Sequence, residues 1–99
     1  MLTLKVDTKL ILHLNLEVEK IYAQICYQKK LLISNLVGDQ QEEEEFLTNF
    51  PPRLLRKAAR VLCKDAQVTS CRFVRDSCSL EITKDAKDPT AVHVRFTSD

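Results

Sequence analysis

Phe50-Pro51-Pro52-Arg53-Leu54-Leu55-Arg56-Lys57-Ala58-Ala59-Arg60-Val61-Leu62-Cys63-Lys64 reads as a helix with two unlike faces. At about 100° per residue, Arg53, Arg56, Lys57, Arg60 and Lys64 fall within one arc of roughly 100°. Leu54, Leu55, Ala58, Ala59, Val61 and Leu62 fill the other side. The entry is well signposted. Pro51 precedes a proline and is steered away from the α region. Pro52 suits the first helical position, where a missing N–H costs nothing. Phe50 stands at the position from which a hydrophobic staple can reach Leu55. Positive charge in the last turn matches the helix dipole, so the helix is expected to end near Lys64-Asp65.

An amphipathic helix needs a surface to lie on, and the chain supplies one downstream. Val68 to Val74 reads as a strand, and Asp76-Ser77 as a turn. Cys78 to Thr83 alternates apolar and polar. Lys84 to Pro89 is a polar loop. Ala91 to Phe96 alternates again, with Val92, Val94 and Phe96 on the buried side. Connections this short between consecutive strands imply an antiparallel meander.

Upstream lies the opposite charge, Asp39 and Glu42 to Glu45. Gly38 suits a helix C′ position. The segment 39–49 is expected to be a mobile acidic loop, with at most a short helical turn running into Phe46 and Leu47. Before it, Ile21 to Val37 has two readings. As a helix it shows a stripe of Ile21, Ile25, Leu32 and Leu36, widened by Tyr22, Cys26, Ile33 and Val37 and interrupted by Lys29. As a hairpin it would turn at Lys29-Lys30. The β-branched and aromatic content favours strands. No Gly, Asn or Asp sits between the runs, which disfavours a tight turn, and helix is the preferred reading. Leu2 to Val6 alternates as a strand, and Asp7-Thr8-Lys9 turns the chain. Leu10 to Val18 then alternates over nine residues, the firmest strand expectation and a candidate edge for pairing with another chain.

These readings give one α+β domain over 1–99: an antiparallel sheet of about five strands packed against one or two amphipathic helices. A chain of 99 residues fits a single domain, and 44 % hydrophobic residues are too many for disorder. No stretch is long and apolar enough to span a membrane. The start lacks a charged segment followed by an apolar one, so no secretory signal is read. A soluble intracellular chain, cytoplasmic or nuclear, is expected.

Little in the sequence equips it for catalysis. One glycine argues against loops that cradle phosphate. Cys26, Cys63, Cys71 and Cys78 contain no Cys-x-x-Cys pair. Two disulfides are possible in three connectivities, but small buried thiols in a reducing compartment are preferred. His13 and His93 fall on the outward side of expected strands, as solvated residues. Zinc sites use local Cys/His pairs, and none is present, so neither metal nor cofactor is expected. Consecutive carboxylates such as Glu42 to Glu45 do not converge on one site. A thiol enzyme would need Cys63 or Cys71, and Cys63 lies near a helix C-terminus, where the dipole raises a thiol pKa.

The basic stripe therefore carries the functional expectation. It is either the ordinary charged face of a packed helix or a surface for an anionic partner. It holds no acid before Asp65, and Arg72, Arg75 and Arg95 on the following strands would extend it. The chain is expected to be a non-enzymatic protein–protein interaction module. It would serve as a small subunit or adaptor of a larger complex, or as a homodimer. Its partner contacts would be Arg53, Arg56, Lys57, Arg60, Lys64, Arg72 and Arg75. The alternative is RNA or DNA binding through the same stripe. That alternative is weakened by a formal net charge of only +1 and by few aromatics for base stacking. Neither a membrane nor a small-molecule substrate is expected. The acidic loop would fold back over the stripe when no partner is bound.

Overall fold

Pro52 to Lys64 is helical, with the bounds expected from its prolines and periodicity. The computed structural model describes residues 2–5, 14–88 and 90–98, with side chains described from residue 18 onward. Its elements run β1 (Leu2–Lys5), α1 (Leu14–Ser34), α2 (Gln41–Thr48), α3 (Pro52–Lys64), β2 (Ser70–Arg75), β3 (Cys78–Lys84) and β4 (Val92–Ser98). The α+β class holds. Among the described residues the sheet has four strands in the order β1-β4-β3-β2, all neighbours antiparallel, rather than about five.

The further strand expected from the sequence is Leu10 to Val18. Residues 10–13, His13 among them, lie outside the described residues. Leu14 to Val18 forms the first turn of α1 instead. Alternation of Leu with Asn and Glu fits a strand, but Leu14, Val18, Ile21, Tyr22 and Ile25 also recur at helical spacing. Leu and Glu are good helix formers, and only Val18 in that stretch is β-branched. The helix then continues through Ile21 as expected and stops at Ser34. There the Ser34 Oγ and the Asn35 Nδ2 both donate to the Leu31 carbonyl oxygen, at 2.9 and 2.7 Å. Gly38 is not the C′ residue of this helix. It stands four positions past Ser34, at φ 72°, within the bend that leads to α2.

The acidic segment expected as a loop is largely helix α2. Glu and Gln have high helix propensity. Glu42, Glu43 and Glu44 occupy the first turn, where the dipole favours negative charge. Gln41 Nε2 donates to Glu45 Oε1 at 3.2 Å. Leu47 is fully buried and Phe50 nearly so, which docks α2 on the core.

One sheet face carries the core. Leu80 and Ile82 of β3 and Val92, Val94 and Phe96 of β4 pack with Ile21, Ile25 and Leu32 of α1 and Leu55, Ala58, Ala59 and Leu62 of α3. Each large side chain so buried contributes about 1.5–3 kcal/mol. Ala58 and Ala59 are buried, and their small side chains let α3 lie close to the core. The β2–β3 turn places Asp76 at φ 53°, a left-handed conformation that Asp tolerates better than most residues.

Two glutamines tie α1 to the sheet. Gln28 Nε2 donates to the Val92 carbonyl oxygen, and Gln28 Oε1 accepts from Val94 N–H at 2.8 Å. Gln24 Nε2 donates to the Thr90 carbonyl oxygen, and Gln24 Oε1 accepts from Val92 N–H at 3.3 Å. Both side chains are buried. Residues four apart on a helix rise about 6.0 Å, and residues two apart on a strand advance about 6.8 Å. The periods nearly match, so the two side-chain amides meet the β4 backbone as peptide groups of a neighbouring strand would.

Candidate interaction surface

Arg53, Lys57, Arg60 and Lys64 stand exposed along α3. Among the described residues none of them forms an ion pair, because the described pairs are Arg56–Glu19, His93–Asp85 and Arg95–Glu81. Arg56 is different. Its guanidinium lies 4.1 Å from the centroid of the Tyr22 ring and bonds to Glu19 Oε1. It fastens α3 to α1, so its charge is already engaged. Tyr22 feels both neighbours. Its hydrogen bond with Cys26 and then its desolvation push the phenol above its ordinary value, while the Arg56 charge pulls it back.

The acidic residues do not cover the stripe. Glu42, Glu44 and Glu45 face solvent, and Glu43 accepts from Ser98 Oγ at 3.0 Å. The expected fold-back is corrected: once 41–48 is helical, its apolar side turns inward at Leu47 and its carboxylates turn outward.

Arg72 and Arg75 lie on β2, an edge strand. Cys71 and Phe73 pack against the core, so by strand alternation Arg72 points to the opposite sheet face. The single continuous patch read from sequence is therefore two surfaces meeting at the β2 edge. Arg95 does not extend either of them freely, being bonded to Glu81. Across the outer face the register aligns Arg72, Glu81 and Arg95 in one row.

Beside this edge lies a groove of about 420 Å³. Phe46, Phe50, Leu54 and Phe73 line it, with Arg75 beside Phe73 on the same strand. The rings interlock: Phe50 meets Phe46 at 5.6 Å and Phe73 at 5.3 Å between centroids, both edge-on. Val74, also at the groove, is 65 % exposed. Sequence reading missed this feature. The available signal was the four-residue spacing of Phe46 and Phe50, which places both on one side of a turn, next to two prolines.

The remaining candidates are engaged in structure. His93 is not simply solvated, because its Nε2 lies 2.9 Å from Asp85 Oδ2. Asp85 Oδ1 in turn accepts from the N–H groups of Lys87 and Asp88. None of the four cysteines is in a disulfide. Burial pushes the Cys71 thiol up, with the Lys84 charge opposing, so little thiolate forms there at neutral pH. Among the described residues no group of three His, Cys, Asp or Glu side chains is placed to hold a metal ion, and no helix is long and apolar enough to cross a membrane. No family model, curated protein or solved structure matches this chain.

Proposed function

We propose that this chain is a non-enzymatic interaction module, a small subunit or adaptor of a protein complex inside the cell. It presents the outer face of α3 to an acidic protein surface. One observation carries the reading. Arg53, Lys57, Arg60 and Lys64 share one helix face without an ion pair among the described residues, although the same chain displays an acidic helix directly before it. A surface shaped only for solubility mixes signs. Charge left segregated in this way steers a complementary partner and fixes its orientation.

Nucleic-acid phosphate is the other anion that would suit these cations. The aromatics that would stack bases weigh against it: Phe46, Phe50 and Phe73 are turned onto one another and partly or fully buried.

The test is affinity capture from host lysate, divided into nuclease-treated and untreated halves, using the native chain and a Lys57→Glu/Arg60→Glu variant. A defined set of proteins that survives nuclease and is lost with the variant supports the module. Partners that vanish on nuclease treatment, with nucleic acid in the untreated eluate, replace it with the phosphate-binding reading.

A further inference from the structure

Among the described residues, the outer edge of β2 has no neighbouring strand. Lys84 N–H donates to the Thr69 carbonyl oxygen at 2.8 Å. In an antiparallel ladder the residues that bond across alternate with those that face away. Thr69, Cys71, Phe73 and Arg75 therefore bond toward β3, and the N–H and C=O groups of Ser70, Arg72 and Val74 face outward. Among the described residues no backbone bond to another element uses these groups, and all three residues are exposed. An edge like this is a template for another chain.

The two faces beside that edge differ in chemistry. On the inner side an added strand would run along the aromatic groove of Phe46, Phe50, Leu54 and Phe73. On the outer side it would lie next to Arg72, the end of the cross-strand row Arg72, Glu81, Arg95. Glu81 is bonded to Arg95, which leaves Arg72 without an ion pair among the described residues. A carboxylate on the added strand would complete an alternation of sign across the sheet, and opposite charges directly across a ladder stabilise it.

We propose that β2 accepts an extended acidic segment of a partner protein as an additional strand. Alternate apolar side chains of that segment enter the groove, and alternate carboxylates face Arg72. The proposal rests on the interaction-module reading and names its partner's form and chemistry. Edge cations usually repel stray strands. Here the same charge would select for acidic ones. A second copy of this chain is a poor occupant, because pairing β2 with itself would bring the arginines of both strands and both α3 stripes together.

The probe is a short fluorescein-labelled peptide alternating glutamate and valine. Its lysine–valine counterpart and a single-stranded oligonucleotide serve as competitors, and binding is read by anisotropy and by amide exchange in the full chain. The expected result is binding of the acidic peptide with slowed exchange at the Ser70, Arg72 and Val74 amides. Val74→Pro removes an outward N–H at an edge, where proline is tolerated, and should weaken binding by about tenfold, the equivalent of about 1.4 kcal/mol. Arg72→Glu should reverse the preference toward the lysine–valine peptide. No binding, equal binding by Val74→Pro, or equal displacement by the oligonucleotide overturns the proposal. A native chain that is dimeric and becomes monomeric with Val74→Pro also overturns it, in favour of a second copy. Nuclease-resistant partners that survive Val74→Pro but are lost with Lys57→Glu/Arg60→Glu overturn strand addition while leaving the interaction module standing.

Discussion

Replacing Gln28 by leucine isolates the glutamine fastening between α1 and β4. The side chain is fully buried and holds two backbone groups, the Val92 carbonyl oxygen and the Val94 N–H. Leucine has similar bulk and can answer neither. Each orphaned buried group costs about 1–3 kcal/mol, so about 4 kcal/mol is at stake at mid-range. Greater apolar burial and a smaller rotamer loss return about 2 kcal/mol. The expected net loss is about 2 kcal/mol, a fall in Tm of about 8–16 °C for a domain of this size. The chain has no tryptophan, so urea unfolding is followed by far-ultraviolet circular dichroism. Gln28→Glu sharpens the test. Its carboxylate accepts from Val94 N–H but repels the Val92 oxygen, and burial raises its folded pKa above the unfolded value of about 4.3. Below that unfolded value the protonated acid can make both bonds, so the deficit against the native chain is smallest there. It grows as pH rises through the folded pKa. A Gln28→Leu chain within about 0.5 kcal/mol of native, or a Gln28→Glu deficit that does not widen with pH, would refute the strand-mimic account.

Three further outcomes are expected. Leu47→Ala should cost about 2–5 kcal/mol in urea unfolding, because Leu47 is fully buried beneath α2; a surface loop at 41–48 would cost almost nothing. Asp76→Gly should stabilise by about 1 kcal/mol, since glycine holds the φ of 53° without the penalty of a side chain, and the midpoint of the same unfolding curve reads this. In a Tyr27→Phe background, absorbance titration should find Tyr22 ionising above 10.0, lower in Cys26→Ala and higher in Arg56→Ala. Because the folded value is raised, the stability linked to Tyr22 is intact below the unfolded pKa and is lost as pH rises through the folded one.

What the sequence revealed follows the range of the forces involved. α3 was legible to its last residue because its prolines and its two-faced pattern are local. The three-strand meander was legible because alternation is local and its connections are short. Leu14 to Val18 misled because alternating Leu, Asn and Glu satisfies both periods, and the helix won through residues further along α1. The acidic run hid α2, because its charge is a local property while the burial of Leu47 and Phe50 depends on the distant core. The glutamine fastening was out of reach: Gln28 meets a partner 66 positions away, and nothing near it marks its amide as buried. The site divided the same way. The exposed positions of Arg53, Lys57, Arg60 and Lys64 follow from spacing alone, the engagement of Arg56 with Glu19 and Tyr22 does not, and the groove requires α2, α3 and β2 to converge.

The charge segregation persists because neutralising it would gain little. An exposed ion pair is worth about 0–1 kcal/mol, and holding a glutamate in one rotamer costs up to about 2 kcal/mol. Laying α2 over α3 would also pull Leu47 out of the core. Both charged faces therefore stay toward solvent, and a net charge of +1 conceals a strongly polar molecule. The two proposed contacts should then differ in kinetics. The α3 cations act at a distance, so Lys57→Glu should slow association at low salt, and added salt should erase the difference. The groove acts only on contact, so Val74→Pro should speed dissociation and leave association nearly unchanged. If both variants altered the same rate constant with the same salt dependence, the helix face and the strand edge would be one site rather than a steering surface beside a dock.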